Sequence, residues 1–111
     1  MAALPVHVSA NVWAGIDTAQ KKVTPSTIEI SLSGKHEVEW YCVDRNQTVL
    51  VRFPTTQSPF DGNTFTVPQG GSVLSGPAKQ TVNLNTPYAY DIVVNGAVLQ
   101  LPTQAIIIIR P

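Results

Sequence analysis

Two histidines, one cysteine and seven carboxylate side chains are all that this 111-residue chain offers for metal ligation or acid–base work. Period-two alternation puts His36, Val38, Trp40 and Cys42 on one face of a strand, so an imidazole and a thiolate could join Asp44 or His7 around an ion. On an extended backbone, however, His36 and Cys42 stand roughly 20 Å apart at about 3.3 Å per residue, too far to share one ion. The spacing predicts a core thiol beside Trp40, surface imidazoles at His36 and His7, no metal and no cofactor. Nucleophilic catalysis needs a Ser or Cys beside a His and an orienting acid. No Gly-x-Ser-x-Gly elbow is present, and Gly70-Gly71 follow a strand with no helix after them, which makes a turn rather than a phosphate cradle. No catalytic residue is expected. Asp91, between Tyr90 and Ile92, falls on the outward face as a solvated carboxylate.

Any site must be positioned by strands. The stretch from Pro87 to Leu101 is the organising element: Tyr88, Tyr90, Ile92 and Val94 share one face, and Asn95-Gly96 is a strong signal for a two-residue hairpin turn of type I′. Before it, Leu4, Val6 and Val8 alternate as an opening strand with His7 on the other side. Val23-Thr-Pro25 leads into Ile28 to Leu32, then Val38, Trp40 and Cys42 form a strand with a bulky core member. Val49, Val51 and Phe53 form another that stops at Pro54. The loop from Thr55 to Asn63 carries a lone Phe60, expected to pin the loop onto the core. Phe65 and Val67, Val73, and Thr81 to Leu84 suggest short pieces, with a glycine turn at Pro68 to Gly71. Ala105 to Ile109 is a continuous apolar run, too short for a helix and rich in β-branched residues, and reads as an inner strand covered on both sides. Nowhere is there sustained helical spacing. The expectation is one domain over 1–111: an all-β, Greek-key β-sandwich of about eight strands.

Composition narrows the function classes. Seven basic and seven acidic side chains cancel, which leaves no electrostatic footprint for nucleic acid or an anionic membrane. Charged residues make up 13% of the chain, against about 25% in ordinary soluble domains. That surface is more usual in extracytoplasmic β domains. A lone Cys42 makes no internal disulfide, and no apolar run reaches the length of a membrane span. Met1 to Pro5 has neither a basic n-region nor an apolar h-region, so the compartment stays open between an intracellular protein and one whose signal peptide has been removed; the latter would favour an extracytoplasmic location.

Several motifs in order carry a resemblance: Val23-x-Pro25-x-x-Ile28-x-Ile30-x-x-x-Gly34-x-x-x-Val38-x-Trp40, Val49-x-Val51-x-Phe53, Ser58-Pro-Phe60, Val67-Pro-x-Gly-Gly-Ser72 and Pro87-Tyr-x-Tyr90. Together they resemble the cupredoxins, the β-sandwich family that includes plastocyanin and azurin. That family holds copper with two imidazoles, a thiolate and a weak axial Met. Carried over to this chain, the resemblance puts the first His at or near Gln47, the Cys at Ile92, the second His at about Asn95 and the axial Met near Leu99 or Gln100. Those side chains cannot replace a thiolate and two imidazoles. The resemblance implies the fold and argues against electron transfer.

The leading expectation is a copper-free, cupredoxin-like, non-enzymatic module for protein binding or structure, with the apolar hairpin tip at Val94, Asn95, Gly96, Val98 and Leu99 as the contact end. Two other readings stand beside it: an atypical copper-binding or electron-transfer cupredoxin, and an immunoglobulin-like domain of a larger surface or secretion assembly. The partner and the oligomeric state are open.

Overall fold

A computed structural model describes residues 11–111. It is all-β, with no helix among those residues, and comprises ten strands: β1 (Asn11–Asp17), β2 (Lys22–Thr24), β3 (Thr27–Ser31), β4 (Glu37–Cys42), β5 (Val49–Arg52), β6 (Thr64–Val67), β7 (Ser72–Leu74), β8 (Pro87–Val94), β9 (Ala97–Val98) and β10 (Ala105–Arg110). They form two mixed sheets. One has the order β2-β1-β4-β7, with β1 and β4 parallel; the other has the order β3-β10-β8-β5-β6, with β10 and β3 parallel and β9 paired to β8.

Alternation decides which side chains face inward. Ala14 and Ile16 of β1, Val38, Trp40 and Cys42 of β4, Val49 and Val51 of β5, Tyr90 and Ile92 of β8, and Ala105, Ile107 and Ile109 of β10 are all buried and belong to one cluster. Trp40 lies at its centre. Its ring meets Phe53, Phe60, Phe65 and Tyr90, with centroids 5.3 to 6.3 Å apart, so one side chain of the first sheet touches residues from four segments of the rest of the chain. The Trp40 Nε1–H donates to the Tyr90 hydroxyl at 3.2 Å, which satisfies the one polar atom the indole takes into the core.

Phe60 is held as the sequence leads one to expect, and Ser58 explains how. The buried Ser58 Oγ donates to the Gly62 carbonyl at 2.6 Å and accepts from the Phe60 N–H at 3.1 Å, which closes the loop around the ring. Ser58→Ala leaves both groups without that partner in a confined place. It is expected to lower the unfolding free energy by about 1–3 kcal/mol, read as a lower urea midpoint with an unchanged slope.

Among the described residues the strand inventory departs from the sequence expectation in three places. The alternating run at Leu4 to Val8, with His7, lies outside the described residues. Asn11–Asp17 is a strand that the alternation of Val12, Ala14 and Ile16 permits but that goes unmarked in the sequence, because Gly15 and a polar neighbourhood dilute the pattern. Thr81 to Leu84 is not a strand: Val82 packs on the core from a turn closed by the Val82 N–H to the Lys79 carbonyl. The run from Ala105 to Ile109 is an inner strand between β3 and β8, yet only one side of it is fully buried, since Ile106 and Ile108 are half-buried. The number of strands also rises from eight to ten, because the chain changes sheet between β2 and β3 around Pro25 and because the return from the hairpin is broken into β9 and β10.

That break has a simple geometry. Val93 faces Val98 and Tyr90 faces Ala105, so three steps along β8 are matched by seven along the returning chain. The surplus leaves the sheet as an excursion from Leu99 to Gln104. The Gln104 side chain ties its far end down by donating from Nε2 to the Tyr90 carbonyl at 2.8 Å.

Candidate functional site

Strand direction collects four turns at one end of the molecule. The β1–β2 turn, the β4–β5 turn, the β6–β7 turn and the β8–β9 hairpin all lie there, because β1 runs parallel to β4 while β5 pairs antiparallel with both β6 and β8. Two contacts join the first three of them: Thr18 Oγ1 donates to Gln47 Oε1 at 2.7 Å, and the Arg45 guanidinium donates to the Gly70 carbonyl. Turns held on a rigid sheet framework are where a small β domain can display recognition groups.

The hairpin itself is closed tightly. Val94 pairs with Ala97, and Asn95 and Gly96 have φ of 52° and 81°, the two left-handed residues that a type I′ turn requires. Asn95, Gly96 and Ala97 are exposed, Val98 is 43% exposed, and Val94 and Leu99 lean against the core. Of the positions that resemblance assigns to copper ligands, Ile92 is fully buried, Leu99 donates its backbone N–H to the Ile92 carbonyl at 2.8 Å, Gln47 is tied to Thr18, and Asn95 occupies the turn. Gln47 and Asn95 share an end of the sheet, and Ile92 and Leu99 are neighbours across the hairpin.

The other chemistry-bearing residues are dispersed. Cys42 is buried at the end of β4. Burial pushes its thiol pKa up; the Asp44 backbone N–H works against this, and the Asp44 and Asp17 carboxylates add to it. His36 precedes the opposite end of that strand, half-buried, where its Nδ1 accepts the Ser31 N–H at 3.2 Å and closes the β3–β4 turn. Among the described residues no three His, Cys, Asp or Glu side chains converge. Asp91 differs from the sequence expectation. It is half-buried rather than solvated, because the excursion at Leu99, Gln100, Leu101 and Gln104 folds beside it around a depression of about 140 Å³.

A larger cleft opens on the outer face of the four-stranded sheet. It has a volume of about 440 Å³ and is lined by Trp13, Tyr41, Arg45, Gly70, Gly71 and Ser72. Trp13 is 53% exposed. The Trp13 and Tyr41 rings meet edge to face, with centroids 5.8 Å apart and planes at 67°. Gly15 makes this possible: a Cβ there would lie 2.8 Å from the Tyr41 hydroxyl, so only glycine lets the ring settle on β1. Beside the cleft, Glu39 Oε1 accepts from Asn11 Nδ2 at 3.1 Å and Oε2 accepts from Ser72 Oγ at 2.6 Å, which fastens three strands together on that face. None of these residues stands out as a group in the sequence. The available signal was Trp13 itself, since placing Ala14 and Ile16 inward forces the neighbouring indole outward into water.

No family model matches this chain, and no curated protein matches it significantly.

Proposed function

We propose that the chain is a copper-free, cupredoxin-like Greek-key domain that works as a non-enzymatic binding or structural module. The observation that carries this reading is what occupies the positions a copper ion would need. Ile92, at the position the resemblance assigns to the thiolate, is fully buried, and the Asn95-Gly96 turn, where the resemblance assigns the second imidazole, is drawn shut. An isoleucine offers no donor atom, and a two-residue turn leaves no open loop to supply one. The traffic of the chain between sheets, from β4 across to β5 and β6, back to β7 and across again to β8, supports the Greek-key part of the reading. The uncharged, exposed surface at Asn95, Gly96, Ala97 and Val98 supports the hairpin as one contact element.

A copper titration tests it. The expected result is no saturable binding and no intense visible absorption on adding Cu(II), with the same trace for Cys42→Ser. Saturable binding with the strong colour of thiolate-to-copper charge transfer, abolished in Cys42→Ser, would overturn the proposal in favour of an atypical copper protein.

A further inference from the structure

Resting on the binding-module reading, we propose that the cleft between Trp13 and Arg45 takes a saccharide unit that carries a carboxylate, a hexuronate. Four features of the cleft point to that chemistry. First, Trp13 keeps about half its surface in water on the outer sheet face, next to Tyr41. An indole face has a negative quadrupole, and the weakly positive C–H groups on one side of a pyranose ring complement it. Second, the Arg45 guanidinium is anchored through one N–H to the Gly70 carbonyl, and among the described residues it pairs with no carboxylate. Its remaining donors suit a carboxylate held by charge-assisted bonds. Third, Ser72 gives its proton to Glu39, which leaves Ser72 Oγ as an acceptor for a sugar hydroxyl. Fourth, Gly70 and Gly71 put no side chain into the space, and the volume of about 440 Å³ falls in the range of small-ligand sites.

Other occupants fit less well. The two rings stand at 67° and form a corner rather than a parallel slot, so a nucleobase would stack on one of them only. One arginine and a net charge of zero give a polyphosphate backbone little to hold. A cationic ligand would meet the Arg45 charge, and a neutral sugar would leave that charge unanswered.

The test is a titration of the whole chain followed by two-dimensional NMR and tryptophan fluorescence, with digalacturonate, its neutral counterpart galactobiose, and a glutamate-rich hexapeptide as probes. Digalacturonate is expected to bind saturably and to shift the Trp13 indole and the Gly70 and Gly71 amides. Galactobiose should bind at least about tenfold more weakly, and Trp13→Ala and Arg45→Gln should each weaken digalacturonate by about tenfold or more. Both positions are exposed, so unchanged unfolding midpoints would show that the fold is intact. Absence of saturable digalacturonate binding, binding that survives both substitutions, or equal affinity for galactobiose would overturn the proposal. So would preferential binding of the acidic hexapeptide, although that result would leave the binding-module reading standing. The copper titration, by contrast, sinks the binding-module reading without reference to the cleft.

Discussion

Trp40→Ala is expected to remove about 3–5 kcal/mol of unfolding free energy, much of what a domain of this size has. The indole is fully buried and touches four aromatic rings drawn from β5 and its edge, the Thr55–Asn63 loop, β6 and β8. Deleting it opens a void that these rings cannot close together, because each is fixed to its own strand or loop. It also takes away the donor to the Tyr90 hydroxyl. Urea denaturation followed by circular dichroism would show the loss as a fall in midpoint. Trp40→Phe keeps a ring in the space and drops only the Nε1 donor and part of the volume, so its cost should be clearly smaller. If the two variants were equally destabilised, the cavity argument would fail and the hydrogen bond would carry the effect.

The second large effect concerns alkaline pH. Burial pushes the Tyr90 phenol from 10.0 up to about 12, against a lowering contribution from the Trp40 hydrogen bond. The folded protein therefore holds that proton more tightly than the unfolded chain does. Below pH 10 both states are protonated and the contribution to stability is complete. Between pH 10 and about 12 the unfolded chain releases the proton first, so stability falls with a slope of up to about 1.4 kcal/mol per pH unit, roughly 1–3 kcal/mol in all. Tyr90→Phe isolates this titration from those of the lysines and the other tyrosines. Near pH 8 that variant should be about 1–3 kcal/mol less stable than the parent, because the buried Trp40 N–H loses its acceptor. The difference between the two proteins should shrink as pH rises to 12. A difference that stays constant over this range would show that folding does not raise the Tyr90 pKa.

Much of the fold was legible in local patterns, and the reason is the period of a strand. Alternation in Val38-Glu39-Trp40-Tyr41-Cys42 and in Val49-Leu50-Val51 assigns inward and outward faces without knowledge of any neighbour, and Asn95-Gly96 dictates its own turn through backbone sterics. The loop ring Phe60 was readable for the same kind of reason, since a lone aromatic in a polar loop has little choice but to be buried.

Where a residue's fate depends on what packs against it, the sequence was silent or misleading. Ile106 and Ile108 are as apolar as their neighbours, yet are half-buried because they lie on the face of the sheet turned away from the core. Asp91 points outward as alternation requires and is half-buried all the same, because four surplus residues of the returning chain fold beside it. The cleft shows this most fully. Trp13, Tyr41 with Arg45, and Ser72 come from three separate stretches, and only the parallel pairing of β1 with β4 and the antiparallel pairing of β4 with β7 bring them to one face. The chain's own residues determined the strands, their faces and the tight hairpin, since these follow from backbone geometry within a few residues. Tertiary structure alone decided which sheet each strand joined and which outward side chains met, because those are set by contacts between segments far apart in the chain.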